Sequence, residues 1–240
     1  MASSEGWATV LSIADEQWGL VTTQQVDATG VAWSTLSRQL RSGRLERVAH
    51  GVYRVRGSGE VDHLALRAAW LQLRPAVPAW ERSPEDGVVS HRSAAALYGI
   101  GHLPADVHEF TLARRRQTRR ADVRLHRGDV DDAWIDLRGL PVTRPSRIAA
   151  DLLAERADPG AVAQLISDAL RDGYDDPSTV ASDIAPYATT YGMRRGDGLA
   201  VLRWLLELSG DTDREAWLQA ATAGRTLSRN TERRRQRAKV

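Results

Sequence analysis

The feature that most constrains this chain is the order of short patterns packed into residues 22–56. Thr22 followed by Gln25 has the spacing of a capping box, in which each residue satisfies the other's backbone N–H, and it predicts a short helix ending near Gly30. A further helical pattern covers roughly Ala32 to Ser42 and stops at Gly43, a residue suited to a left-handed C-terminal cap. The two helices start close together with a glycine between them, as a helix-turn-helix requires. Two β-type stretches follow, Leu45 to Val48 and Val52 to Val55, split by Ala49-His50-Gly51. An earlier helical pattern from Trp7 to Glu16 places Val10, Leu11 and Ala14 on one face and breaks at Gly19. Three short helices and a hairpin predict a winged helix over residues 1–58.

Arg56 to Glu60 is a Gly/Ser-rich junction, so a second domain is expected over residues 62–224. Asp62 is placed to cap a helix from His63 to Arg74, and Pro75 ends it. Residues 75–87 hold three prolines and read as a loop. Val88-Val89 forms a short strand leading to Ser90, which starts a helix through Tyr98 that Gly99 closes. Val107 to Leu112, Val123 to His126 and Leu140 to Thr143 are further strand candidates, giving a small sheet. From about Arg144 the pattern is helical. Asp158 caps, Pro159 takes the first turn, and Val162, Leu165, Ile166, Ala169 and Leu170 share a face before Gly173. Further helices are expected near Ser178 to Tyr187, Asp197 to Ser209 and Asp213 to Ala223. The expected class is therefore α+β: a winged helix, a mixed α/β domain with a helical C-terminal part, and a basic, flexible tail over 225–240.

The formal net charge of +2 conceals a strong segregation along the 240 residues. Trp33 to Arg56 carries +5, Arg114 to Arg127 carries +6 and Arg225 to Lys239 carries +6, which leaves −15 for the rest. Such clustering predicts basic surfaces for a polyanion on an acidic body. Lys239 is the only lysine among 33 basic residues, so a coding bias accounts for arginine over lysine but not for the clustering. The absence of cysteine excludes disulfides, thiolate metal sites and cysteine nucleophiles, and fits a reducing compartment. Met1 to Val10 lacks a basic region followed by an apolar one, so no secretory signal is expected. The most apolar segment, Leu199 to Leu208, is short and holds Arg203 and Glu207. A cytoplasmic protein with no membrane partner is the expectation.

Within the winged helix, Trp33, Leu36 and Leu40 fall at helical spacing and are expected to face the core. Ser34, Thr35, Arg38 and Arg41 are then turned outward, toward base edges and phosphates of a major groove. Arg44, Arg47, Arg54 and Arg56 lie on or beside the wing, within reach of the flanking backbone, and Thr22 and Thr23 are placed to donate to phosphate. The plain alternative is a helix-turn-helix used only for packing or dimerisation. Arg114, Arg115, Arg116, Arg119 and Arg120 form a possible second nucleic-acid contact, or equally a solvated loop or an acid-binding surface. The basic tail adds non-specific, salt-dependent attraction.

Enzymatic readings find little in the residues. None of His50, His63, His91, His102, His108 and His126 has a recognised metal spacing. Asp129, Asp131, Asp132 and Asp136 lack the spacing and glycine of a calcium loop and read as a polar turn. Phosphate-binding and hydrolase-elbow motifs are absent, and the sole lysine lies in the tail, away from any nuclease-type carboxylate pair. No catalytic residue, metal or cofactor is assigned. A phosphotransfer site built from Ser90, His91, Arg92 or Ser93 stays open as an alternative.

Two groups of residues resemble a known family. Gly19-Leu20-Val21-Thr22-Thr23-Gln24-Gln25 and Leu45-Glu46-Arg47-Val48-Ala49-His50-Gly51-Val52-Tyr53-Arg54 are similar to the N-terminal domain of AbiEi family antitoxins. Val89 through Gly99 and Leu140-Pro141-Val142-Thr143-Arg144-Pro145 resemble the antitoxin part of the same family, so that the likeness extends over about residues 7–172. The resemblance implies the antitoxin of a type IV toxin–antitoxin pair whose toxin is nucleotidyltransferase-like. It implies that the winged helix represses the protein's own operon by binding an inverted repeat, as a dimer or as two monomers, while the C-terminal part counteracts the toxin. Two other mechanisms are consistent with it: enzymatic modification of the toxin, or neutralisation by contact. No family catalytic residue is carried over.

Overall fold

The computed structural model describes residues 2–129 and 133–224. The basic tail, Asp131 and Asp132 lie outside the described residues. The fold is α+β and divides into two compact units, one comprising 1–89 with 110–130 and the other 90–109 with 131–240.

The first unit opens with α1 (Ala2–Glu16), β1 (Leu20–Thr22), α2 (Thr23–Ala28), α3 (Trp33–Arg41), β2 (Leu45–Ala49) and β3 (Val52–Val55). The three strands form an antiparallel sheet in the order β1-β3-β2, with Leu20 opposite Arg54, Thr22 opposite Val52 and Leu45 opposite Val55. β1 was not expected, being only three residues long, but its pairing with β3 completes the winged-helix sheet. The alternating and helical apolar positions converge on one core of Val10, Ala14, Val21, Val26, Val31, Leu36, Leu45 and Tyr53, with Trp7, Ile13, Leu40 and Val55 packed against it. Removing such side chains from water is worth roughly 1.5–3 kcal/mol each. Gly43 takes the left-handed conformation expected of it, at φ +71, and turns the chain from α3 into the wing.

This unit does not close at residue 58. The next helix, α4 (Leu64–Leu71), is shorter than the expected His63 to Arg74 span, and the segment after it is hydrogen-bonded back to the winged helix. Thr22 Oγ1 donates to Pro75 O, Gln25 Nε2 donates to Val77 O, and Gln17 Oε1 accepts from Ala79 N–H. Gln72 Nε2 donates to His50 O at the wing turn, at 2.6 Å. Behind these contacts Trp18 meets the buried Trp70 edge-on, and Arg67 and Arg82 each lie 4.4 Å over one of the two rings. The Arg82 guanidinium also donates to the carbonyls of Trp70, Leu71 and Arg74, satisfying the C-terminal end of α4. Burial pulls its pKa down to about 10, which leaves it charged near neutrality. The unit continues into β4 (Val88–Val89), which pairs antiparallel with β5 (His108–Leu112) through Val88 opposite Thr111 and Val89 opposite Phe110, and β6 (Val123–Arg127) lies on the other side of β5.

The second unit contains α5 (His91–Tyr98), an antiparallel hairpin of β7 (Trp134–Leu137) and β8 (Leu140–Thr143), and the helices α6 (Pro145–Ala154), α7 (Pro159–Arg171), α8 (Pro177–Ile184) and α9 (Gly198–Leu208). Residues 214–224 are also helical. The helical starts follow one rule: Asp158, Asp176 and Asp197 accept from backbone N–H groups of α7, α8 and α9, and proline occupies the first turn of α6, α7 and α8. Packing of α6 on α8 and of α7 on α9 buries Ile148, Leu152, Leu165, Ile166, Ile184 and Leu205. α9 begins against α8 at Gly198, where a Cβ would lie 1.7 Å from Ala181 O, so no larger residue fits.

Candidate nucleic-acid interface

The helix-turn-helix is built from two helices whose N-termini are finished differently. α2 has only six residues, too few to persist without support, and its start carries a complete capping box. Gln25 N–H donates to Thr22 Oγ1 at 3.1 Å, and Thr22 N–H donates to Gln25 Oε1 at 3.0 Å. α3 begins after Ala32, which offers no side-chain acceptor. Thr35 N–H turns back to Ala32 O at 2.9 Å, and no side chain caps the N–H groups of Trp33 and Ser34 at the helix start.

The orientation of α3 differs from the expected one. Trp33 is 59% exposed, while Thr35 is 8% exposed and packs inward with Leu36 and Gln39. At about 100° per residue, Trp33, Ser37, Arg41, Ser34 and Arg38 fan in that order across an outward arc of about 140°. Two causes combine. Val31, in the turn, takes the core position that the pattern assigned to Trp33. Side chains of a helix also lean toward its N-terminus, so a first-turn residue hangs over the helix end rather than beside its body. Arg38, Arg41 and Ser34 stand exposed, as expected, and Arg41 Nε donates to Ser37 O of its own helix, 3.4 Å away. Thr35 leaves the surface set.

Among the other sequence-predicted contacts, Thr22 is fully buried, with its hydroxyl divided between the cap of α2 and Pro75 O. This corrects the expectation that it meets phosphate. Thr23 is half-buried, its hydroxyl 3.3 Å from Gly51 O. On the wing, Arg44, Arg47 and Arg56 are exposed; Arg47 contacts His50 Nδ1 at 3.2 Å and Arg56 lies 4.0 Å from Glu46. Such exposed pairs hold a side chain only weakly. Arg54 is a second correction. Its guanidinium donates to Ser58 O and Gly59 O at 3.2 and 2.8 Å and pairs with Glu46 at 3.5 Å, so it braces the wing's exit rather than projecting from it. The cross-strand register that sets Glu46 opposite Arg54 was the available signal.

The arginine run lies in the loop joining β5 to β6. Arg116 donates to Leu73 O and Arg120 pairs with Asp122, leaving Arg114, Arg115 and Arg119 exposed. In the second unit, the Ser90 to Ser93 segment starts α5 with both hydroxyls buried. Ser90 Oγ lies 3.0 Å from His91 Nδ1, and Ser93 Oγ donates to Val107 O and accepts from Glu109 N–H. Arg92 N–H donates to the buried Glu109 carboxylate and its guanidinium pairs with Glu155 at 3.1 Å. These contacts tie α5 to its neighbours and leave neither hydroxyl at the surface for a phosphoryl acceptor.

Among the described residues no helix is long and apolar enough to cross a membrane. No curated protein matches the chain. Residues 9–56 match the family described as transcriptional regulator, AbiEi antitoxin. The matched stretch runs from within α1 to just past β3, whereas the segments 89–99 and 140–145 that carried the rest of the expected likeness lie outside it. The winged helix over residues 9–56 is thus similar to the transcriptional-regulator domain of the AbiEi antitoxin family.

Proposed function

We propose that the chain is the antitoxin of a type IV toxin–antitoxin pair: it represses its own operon by placing α3 in the major groove of an inverted repeat, and it counteracts a nucleotidyltransferase-like toxin. The observation that carries the first half is the outward arc of α3. It bears Arg38, Arg41 and Ser34, the helix has no acidic residue, and it sits in a domain of a regulator family. A major groove about 12 Å wide admits one helix, and a guanidinium there binds guanine O6 and N7 through two hydrogen bonds. Arg44, Arg47 and Arg56 supply contacts to the flanking phosphates, which hold the register without reading sequence. Two half-sites call for two winged helices, from a dimer or from two monomers bound side by side.

The test is binding to the DNA upstream of the reading frame, compared with a scrambled duplex of the same length and salt. Arg38→Ala and Arg41→Ala are each expected to cost about 1–3 kcal/mol on the operator, roughly 5- to 150-fold, with little effect on scrambled DNA. Equal affinity of the wild type for both duplexes sinks the reading. Co-expression with the product of the adjacent reading frame tests the second half. Growth is expected to be restored by the chain and to be unaffected by its absence when the neighbour is silent.

A further inference from the structure

Among the described residues Trp33 is the most exposed large apolar side chain, ahead of Leu208 and Trp80, and it is the first residue of the helix proposed to face DNA. An indole left in water at this position is not explained by the core, because Val31 and Leu36 fill the space beneath α3. On its exposed side the arc continues with Ser37, Arg41 and Ser34, while the apolar residues beside it on the wheel, Leu36 and Leu40, are turned to the core. That setting differs from a protein-binding hot spot, which lies at the centre of a packed, desolvated patch. It suits a groove wall, where polar edges dominate and apolar features are few. In the major groove adenine, guanine and cytosine present donors and acceptors, and the one apolar group among the four bases is the 5-methyl of thymine. Recognition helices of this class meet base edges with their N-terminal residues, which is where Trp33 stands.

We infer that Trp33 is a specificity residue that packs its indole against a thymine 5-methyl in each half-site; the inference rests on the DNA-binding reading above. Trp33 and the Arg38 guanidinium stand at opposite edges of the arc, so they address different base pairs. Trp33 selects by apolar contact, and Arg38 by hydrogen bonding.

The experiment replaces each operator thymine in turn with deoxyuridine, which removes the methyl and keeps every Watson–Crick group. Binding is read by fluorescence anisotropy for the wild-type chain, Trp33→Ala and Trp33→Phe. One thymine per half-site is expected to lose about fourfold in wild-type affinity on demethylation, the ratio that corresponds to one methyl withdrawn from apolar contact. Trp33→Ala is expected to bind more weakly and to be indifferent at that position alone, while Trp33→Phe keeps part of the response. Because Trp33 lies outside the core, the variants should melt with the wild type. The inference is overturned if no thymine responds in the wild type, or if Trp33→Ala responds as the wild type does. It is also overturned if Trp33→Ala instead changes the sedimentation of the free protein, which would make the indole a self-association contact. Failure of the wild type to prefer operator over scrambled DNA removes the DNA-binding reading itself, a result distinct from specific binding without a methyl response.

Discussion

The outward face of α3 and the loop between β5 and β6 are both rich in arginine, yet the molecule treats the two sets differently. Arg38 and Arg41 project from a nine-residue helix at fixed spacing, and no acidic side chain is paired with either among the described contacts. In the loop, Arg116 is spent on Leu73 O and Arg120 on Asp122, and the remaining three sit on a segment without regular structure. Density of charge is therefore a poor guide to a reading surface. A base edge is recognised only if the guanidinium arrives in a defined place, whereas phosphate attraction is indifferent to where it comes from.

This contrast breaks most sharply under combined substitution. Arg38→Ala with Arg41→Ala should lower operator affinity at least about 100-fold, the order expected when two base contacts are lost together, and should bring it close to the affinity for scrambled DNA. Changing Arg114, Arg115 and Arg119 to Gln should instead weaken both duplexes in the same proportion. If the loop meets DNA, the slope of log affinity against log salt falls by about 0.9 for each phosphate contact removed. A loss confined to the operator would mean that the loop reads sequence and would erase the distinction. The smallest effects separate two hydroxyls. Thr22→Ala should lower stability by about 1 kcal/mol through loss of the α2 cap, seen as a lower Tm, without changing the operator preference of the folded fraction. Ser34→Ala should leave Tm alone and weaken operator binding by a few fold, about the worth of one hydrogen bond.

Local patterns carried the winged helix well. The Thr22–Gln25 box, the Gly43 stop and the Val52 to Val55 strand all rest on contacts within a few residues, which a sequence displays directly. What escaped was decided at longer range. Trp33 was assigned to the core by spacing alone, because nothing local shows that Val31 in the preceding turn reaches the same place first. β1 is stable only through β3, more than thirty residues away along the chain, and three residues leave no periodicity to read. The Gly/Ser-rich junction at 56–60 marks an exposed bend, but it is silent on whether the next helix folds back. That depends on Gln17, Gln25 and Gln72, whose partners lie in distant segments and whose type would suit a solvated surface equally well.

The fastening of the helix-turn-helix to residues 72–79 means that the winged helix is not a detachable cartridge. A fragment cut at the Gly/Ser junction would keep every residue of the sheet and of α3, yet strip the acceptors from Thr22 and Gln25, the Gln72 donor from His50 O and the aromatic partner from Trp18. Each stranded buried polar group costs about 1–3 kcal/mol, comparable in sum to the whole stability of so small a domain. Anyone transplanting the winged helix onto another protein should carry residues 72–79 with it, and should expect that mutations in that outwardly unrelated loop will be felt in the helix-turn-helix.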